Sequence, residues 1–134
     1  MKYLFSLVAM IFCCSLPAQV YKFKAFQTYF RTDLNHQIEE SDWNNVDILV
    51  IINLDKKKIH IYAKKEVDLD IVSYSDIQTE DNGDKSFTMK AVDEDGTEMS
   101  VYHRFFSDQT NKHIASMVLI YKAYSITYRL KRDE

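Results

Sequence analysis

Between Val46 and Ala63 the chain reads VDILVIINLDKKKIHIYA, two stretches rich in β-branched residues around the polar tetrad Asp55-Lys56-Lys57-Lys58. That is the pattern of a β-hairpin closed by a short turn. From Ile48 to Ile52 every position is apolar, which predicts a central strand with material packed on both faces.

Elsewhere the apolar residues alternate. Val67, Leu69 and Ile71 oppose Asp68 and Asp70 in the stretch Glu66–Ser75, the signature of a half-buried strand. Phe87, Met89 and Ala91 alternate within Ser86–Val92, and Met99, Val101 and Phe105 within Thr97–Phe106. Ile114–Lys122 and Tyr124–Lys131 complete the series, the latter with Tyr124, Ile126, Tyr128 and Leu130 on one face. Near the start, Tyr21, Phe23 and Ala25 alternate with Lys22 and Lys24 before the apolar phase moves to Phe26 and Phe30. A period of two that changes phase inside Val20–Thr32 predicts a bulge, or a strand shared between two sheets. Asp33–Asp42 is polar without periodicity and reads as a long loop, with room for one helical turn capped by Asp33. Asp81-Asn82-Gly83-Asp84 and Asp93-Glu94-Asp95-Gly96 read as turns in which glycine takes a positive φ.

About eight strands with mostly short connections, and no amphipathic helix of consequence, predict an all-β fold. An antiparallel meander closing into a barrel is the first expectation, and a two-sheet sandwich the second. Only two glycines occur in the whole chain, which argues against full closure, since tightly coiled barrels turn their corners on glycine.

The N-terminus changes the picture of where this happens. Met1-Lys2-Tyr3, the apolar run LFSLVAMIFCCSL and Pro17-Ala18-Gln19 follow the layout of a secretory signal peptide. Residues 1–18 are expected to be removed, leaving 19–134 as one barrel domain, secreted or periplasmic. The apolar run of about 13 residues is shorter than the roughly 20 that cross a bilayer, so no membrane span is expected in the mature chain. Cys13 and Cys14 both lie inside the removed segment, so the mature chain has neither thiol nor disulfide. Loss of Lys2 takes the formal charge from −3 to −4, spread in mixed sign along the chain. Lys56, Lys57 and Lys58 form one hairpin tip without interleaved aromatics, so no nucleic-acid partner is expected.

Candidate chemistry is sparse. The two Asp–Gly turns resemble fragments of calcium loops, but neither continues to a carboxylate at the twelfth position nor is flanked by helices, so no metal site is expected. His36, His60, His103 and His113 show no metal-ligand spacing and read as surface residues. His103 is the exception, because it shares the face of Met99, Val101 and Phe105. There is no GxSxG elbow and no mature cysteine, and neither a catalytic residue nor a cofactor is expected.

Aromatic residues are in surplus, with nine Tyr and eight Phe. Tyr21, Phe23, Phe87, His103, Phe105, Tyr124 and Tyr128 are the candidate wall of a small apolar ligand cavity. An eight-stranded barrel is just wide enough to be filled by side chains or to hold one small molecule, and so many bulky inward candidates favour filling. Tyr62 and Tyr102 fall on the otherwise polar face and Trp43 stands at the end of a loop just before the central strand; the three are the candidate anchors for a macromolecular partner.

The Trp before an apolar strand, Asn53-Leu54-Asp55 running into Lys58-Ile59-His60-Ile61-Tyr62, the turns at Gly83 and Gly96, and the Tyr-rich last strand together resemble a group of small secreted β-proteins from Bacteroidetes-type bacteria. The resemblance implies export and a β fold and carries over no functional residue. In strand number alone the chain is also similar to lipocalin-like calycin barrels, although the Gly-x-Trp opening of that family is missing, since Trp43 follows Asp42 in the second strand region. The function expected is that of a non-catalytic β-barrel acting by macromolecular contact, the alternative being lipocalin-like binding of a small apolar ligand.

Overall fold

The computed structural model describes residues 19–133; the expected signal peptide, residues 1–18, lies outside them. Ten strands are β1 (Val20–Leu34), β2 (Gln37–Glu40), β3 (Asn44–Asn53), β4 (Lys58–Tyr62), β5 (Val67–Tyr74), β6 (Gln78–Thr79), β7 (Lys85–Val92), β8 (Glu98–Phe105), β9 (Ala115–Ile120) and β10 (Tyr124–Arg132). Eight of them follow one another as β1-β3-β4-β5-β7-β8-β9-β10, and β10 returns to pair with β1. The barrel is therefore closed, every rung is antiparallel, and the two-sheet sandwich is set aside. The short strands β2 and β6 lie outside the ring, on β1 and β7.

Closure with so little glycine has a physical source in the ladders themselves. In β1 the partners on β10 step from Leu130 opposite Ala25 to Arg129 opposite Gln27, leaving Phe26 unpaired there. This bulge sits where the apolar phase of the sequence changes, and it bends β1 so that one strand serves both neighbours. A second irregularity falls between Ile71 and Ser73 in β5. The objection from glycine scarcity is thus overturned, because bulges supply the curvature.

Asp33–Asp42 is corrected too. It holds no helical turn, since β1 runs on to Leu34 and folds back as β2 through Asn35 and His36, both with positive φ (53° and 63°). Gly83 (φ 90°) and Gly96 (φ 83°) occupy the left-handed region expected of the two turns.

Side chains from all eight ring strands fill the interior: Phe23, Val50, Ile59, Ile61, Leu69, Met89, Val101, Met117, Leu119 and Leu130 are buried. Burying each contributes about 1.5–3 kcal/mol. The outward positions are mostly polar. Lys24, His60, Asp68, Lys90 and Arg104 stand at mid-strand around the ring. Charges at that depth are costly in hydrocarbon, so the outer wall suits water. Among the described residues no helix is long and apolar enough to cross a membrane.

Candidate functional site

Seven residues were expected to wall a cavity, and the structure gathers five of them at one end of the barrel. Phe105 lies 5.3 Å from Tyr21, 6.2 Å from Phe23, 6.1 Å from Phe87 and 4.5 Å from His103, between ring centroids. Tyr128 joins the same interior through the register Phe87–His103–Met117–Tyr128. Its enclosure pushes the phenol up to about 12. Tyr124 does not join them. It stands at the opposite end, 37% exposed, stacked on Phe30 and Tyr121. The rings interlock with one another, so these residues form a filled core layer.

His103 is fully buried, and neither ring nitrogen has a hydrogen-bond partner. Phe23, Phe87 and Phe105 surround it. Burial alone depresses its pKa to about 3, so the ring is neutral. The expectation of a surface His fails here as the strand face foretold, and it fails also for His113. That ring is wedged edge-on against Phe106 (4.7 Å) and Phe26 (5.8 Å). Its pKa is lowered, first by burial and then by the charge of Arg129.

The outer wall carries the second set of candidates. The register aligns Thr88, Tyr102, Val118, Thr127 and Tyr29 in one outward row across five strands. Trp43 extends that row, its ring 5.1 Å from Tyr29. Below it runs a parallel row, Ser86, Arg104, Ser116, Arg129, Gln27 and Asn45. The two rows meet where the Arg129 guanidinium lies 3.7 Å from the centre of the Trp43 ring. Trp43 and Tyr102 therefore share a wall. Tyr62 does not, for it pairs across from Leu49 further along β3 and stacks on His60 at 4.1 Å. Leu49 lies six positions along the chain from Trp43, about 20 Å of strand.

Comparison with known protein families, with curated proteins and with solved structures finds no match.

The wall around Trp43 alternates rings and cations. Lys112 Nζ sits 5.0 Å above Phe26, and the Arg104 guanidinium 5.9 Å from Phe106. Arg104 is occupied: it binds Asp84 at 2.8 Å and Glu80 at 2.6 Å. Asp84, nearly buried, also accepts the Ser107 N–H at 2.9 Å. That backbone bond is the main reason its pKa is lowered, with Arg104 adding to it. The Asp84 turn, set aside as a calcium loop, is thus a clasp between the β6–β7 turn and the end of β8. Among the described residues no group of three or more His, Cys, Asp or Glu is placed to hold a metal ion.

Sequence reasoning did not single out Arg129. It alternates with Leu130 and Tyr128 like any outward residue, and only the pairing with Gln27, 102 positions away, sets it beside Trp43.

Proposed function

We propose that this β-barrel is a non-catalytic, exported contact protein, secreted or periplasmic, that binds a macromolecular partner through the outer wall around Trp43. One observation carries the reading. Trp43, 36% exposed, is held between Arg129 and Tyr29 on an outward face, the residue types and the fixed geometry from which interface anchors are made. The filled interior supports it by leaving that role to the outside. Export is supported by the layout of residues 1–18 and by the resemblance to small secreted β-proteins. The test is capture of a partner from the exported fraction of the source cells by wild-type protein and by Trp43→Ala and Tyr102→Ala variants. Loss of the partner at an unchanged melting temperature supports the reading, and retention by both variants refutes it.

A second reading is binding of a small apolar ligand, and a depression of about 550 Å³ on the outer wall favours it. Val72 and Ile120, 62% and 45% exposed, line it beside Lys90, Ser100 and Lys122. Tight one-to-one displacement of an apolar dye by fatty acids, lost in Val72→Asp, would move the assignment from contact to carriage.

A further inference from the structure

We propose that Arg129 is a preformed receptor for a carboxylate on an acidic segment of a protein partner. This rests on the contact reading above and names the chemistry of the partner.

Two neighbours fix the guanidinium. The Trp43 ring at 3.7 Å sets its plane, and Gln27 Oε1 accepts from Arg129 Nη1 at 3.0 Å, setting its rotation. Gln27 is itself oriented, because its amide nitrogen donates to Asn45 Oδ1 at 3.2 Å. A guanidinium carries five N–H donors in a fork that matches a carboxylate, and Gln27 occupies one of them. Holding the fork beforehand removes most of the ordering that binding would otherwise require.

What Arg129 lacks is an acid. Among the described residues no carboxylate approaches it within 4 Å; Asp84 pairs instead with Arg104 (2.8 Å), Asp47 with Lys24 (3.2 Å) and Glu40 with Arg31 (3.9 Å). Lys112, above Phe26, is likewise without a carboxylate. The wall therefore presents one oriented fork and one ammonium, unmatched, beside exposed Trp43 and half-buried rings. That complement fits one or two carboxylates flanked by apolar side chains. A polyphosphate backbone fits less well, since two unmatched cations, Arg129 and Lys112, are too few to neutralise a run of phosphates.

Trp43 is the only tryptophan, so its emission reports on this site. The experiment titrates the protein with a short Glu-rich peptide containing Leu, and with its Gln-substituted counterpart, following Trp43 fluorescence. Saturable change with the Glu peptide, weakened by added salt and at least about tenfold weaker for the Gln peptide, is the expected result. Arg129→Lys keeps the charge but loses the fork, and is expected to bind about tenfold more weakly at an unchanged melting temperature. Gln27→Leu, which keeps Arg129 but frees its rotation, gives the same direction should Arg129→Lys fail to fold. Lys122→Gln, outside both outward rows, should bind as wild type. Equal response to both peptides, wild-type binding by Arg129→Lys, or saturation by inorganic phosphate in place of the peptide overturns the proposal. So does a concentration-dependent dimer in which the peptide competes with a second copy. If the Glu peptide has no effect while Trp43→Ala still loses a captured partner, the contact reading stands and the carboxylate assignment falls. If the peptide binds at Arg129 and no Trp43-dependent partner exists, the reverse holds.

Discussion

The His103 imidazole meets the Phe105 ring edge to face, with centroids 4.5 Å apart and planes at 72°. Both side chains come from β8, two residues apart, so the alternation that points Phe105 into the barrel also carries His103 inward. The arrangement satisfies packing and leaves both ring nitrogens unpartnered. A polar group in that position has its main energetic consequence when it is asked to ionise.

Stability should therefore fall on mild acidification. The folded-state pKa of His103 is about 3 against 6.5 when exposed, so the folded protein binds fewer protons than the unfolded chain between those values. Its contribution is complete above pH 6.5 and is lost as pH falls toward 3. At pH 5 the loss amounts to about 2 kcal/mol relative to pH 7. His113, lowered in the same direction, adds a smaller slope. Urea unfolding at pH 7 and pH 5 measures the difference. His103→Phe should remove most of it while holding or raising stability at pH 7, since an apolar ring replaces an unsatisfied one. An unchanged slope in that variant would show that His103 is not sealed.

The Asp84 clasp should lose stability in the same direction, on acidification, but in a lower pH window. Its carboxyl is held below the usual range by the Ser107 N–H and Arg104, so its contribution is present above the ordinary pKa of 3.8 and is lost only as pH falls through the lowered value. Asp84→Asn is expected to lower the melting temperature and to speed amide exchange of Ser107, whose N–H donates to Asp84 Oδ1 at 2.9 Å. Arg104→Lys should cost less, because a single ammonium can still reach either Asp84 or Glu80. Exchange at Ser107 that does not respond to Asp84→Asn would remove the clasp.

Period-two alternation carried most of the fold. Phe87, Met89 and Ala91 on one strand and Val67, Leu69 and Ile71 on another point where their spacing said, because a half-buried strand has no other way to hide its apolar face. The phase change at Phe26 was also legible as a bulge, and the closure it permits was not, because curvature depends on how both neighbouring ladders absorb the extra residue. Of the outer-wall anchors, Tyr102 was visible as an aromatic on a polar face and Trp43 as the end of a loop before the central strand. That they share a row while Tyr62 does not is a matter of register, which no single strand encodes. Arg129 lay below notice for the same reason.

His113 can serve as a reporter for that wall. Burial is the larger cause of its lowered pKa and the Arg129 charge the next, while its backbone bond to Ala115 acts in the opposite sense. Phe26→Ala removes an edge-on ring 5.8 Å away and admits water, and Arg129→Gln removes the charge. Both should raise the His113 pKa toward its ordinary value, Phe26→Ala by more, in an NMR titration of the imidazole. His103 should stay untitrated across the same range in each variant. A His113 pKa indifferent to both changes would mean that the ring does not sit between Phe26 and Phe106.

The β1–β2 hairpin offers a test of the turn that the sequence concealed. Leu34 pairs with Gln37, so Asn35 and His36 form a two-residue loop, and positive φ at both is what a type I′ turn requires. Asn-Gly is the usual occupant; here position 36 holds a histidine, and without the glycine the segment read as an irregular loop. A side chain in the left-handed region costs about 1 kcal/mol relative to glycine. Glycine loses part of that advantage through the greater freedom of the unfolded chain, leaving a net gain of roughly 0.5 kcal/mol for His36→Gly. Because β2 lies outside the closed ring, the gain should appear locally, as slower amide exchange in the hairpin, with the melting temperature of the barrel almost unmoved. His36→Val should do the reverse, since a β-branched residue resists positive φ most strongly. Faster exchange in His36→Gly would show that the imidazole itself, rather than the turn, holds the hairpin against β1.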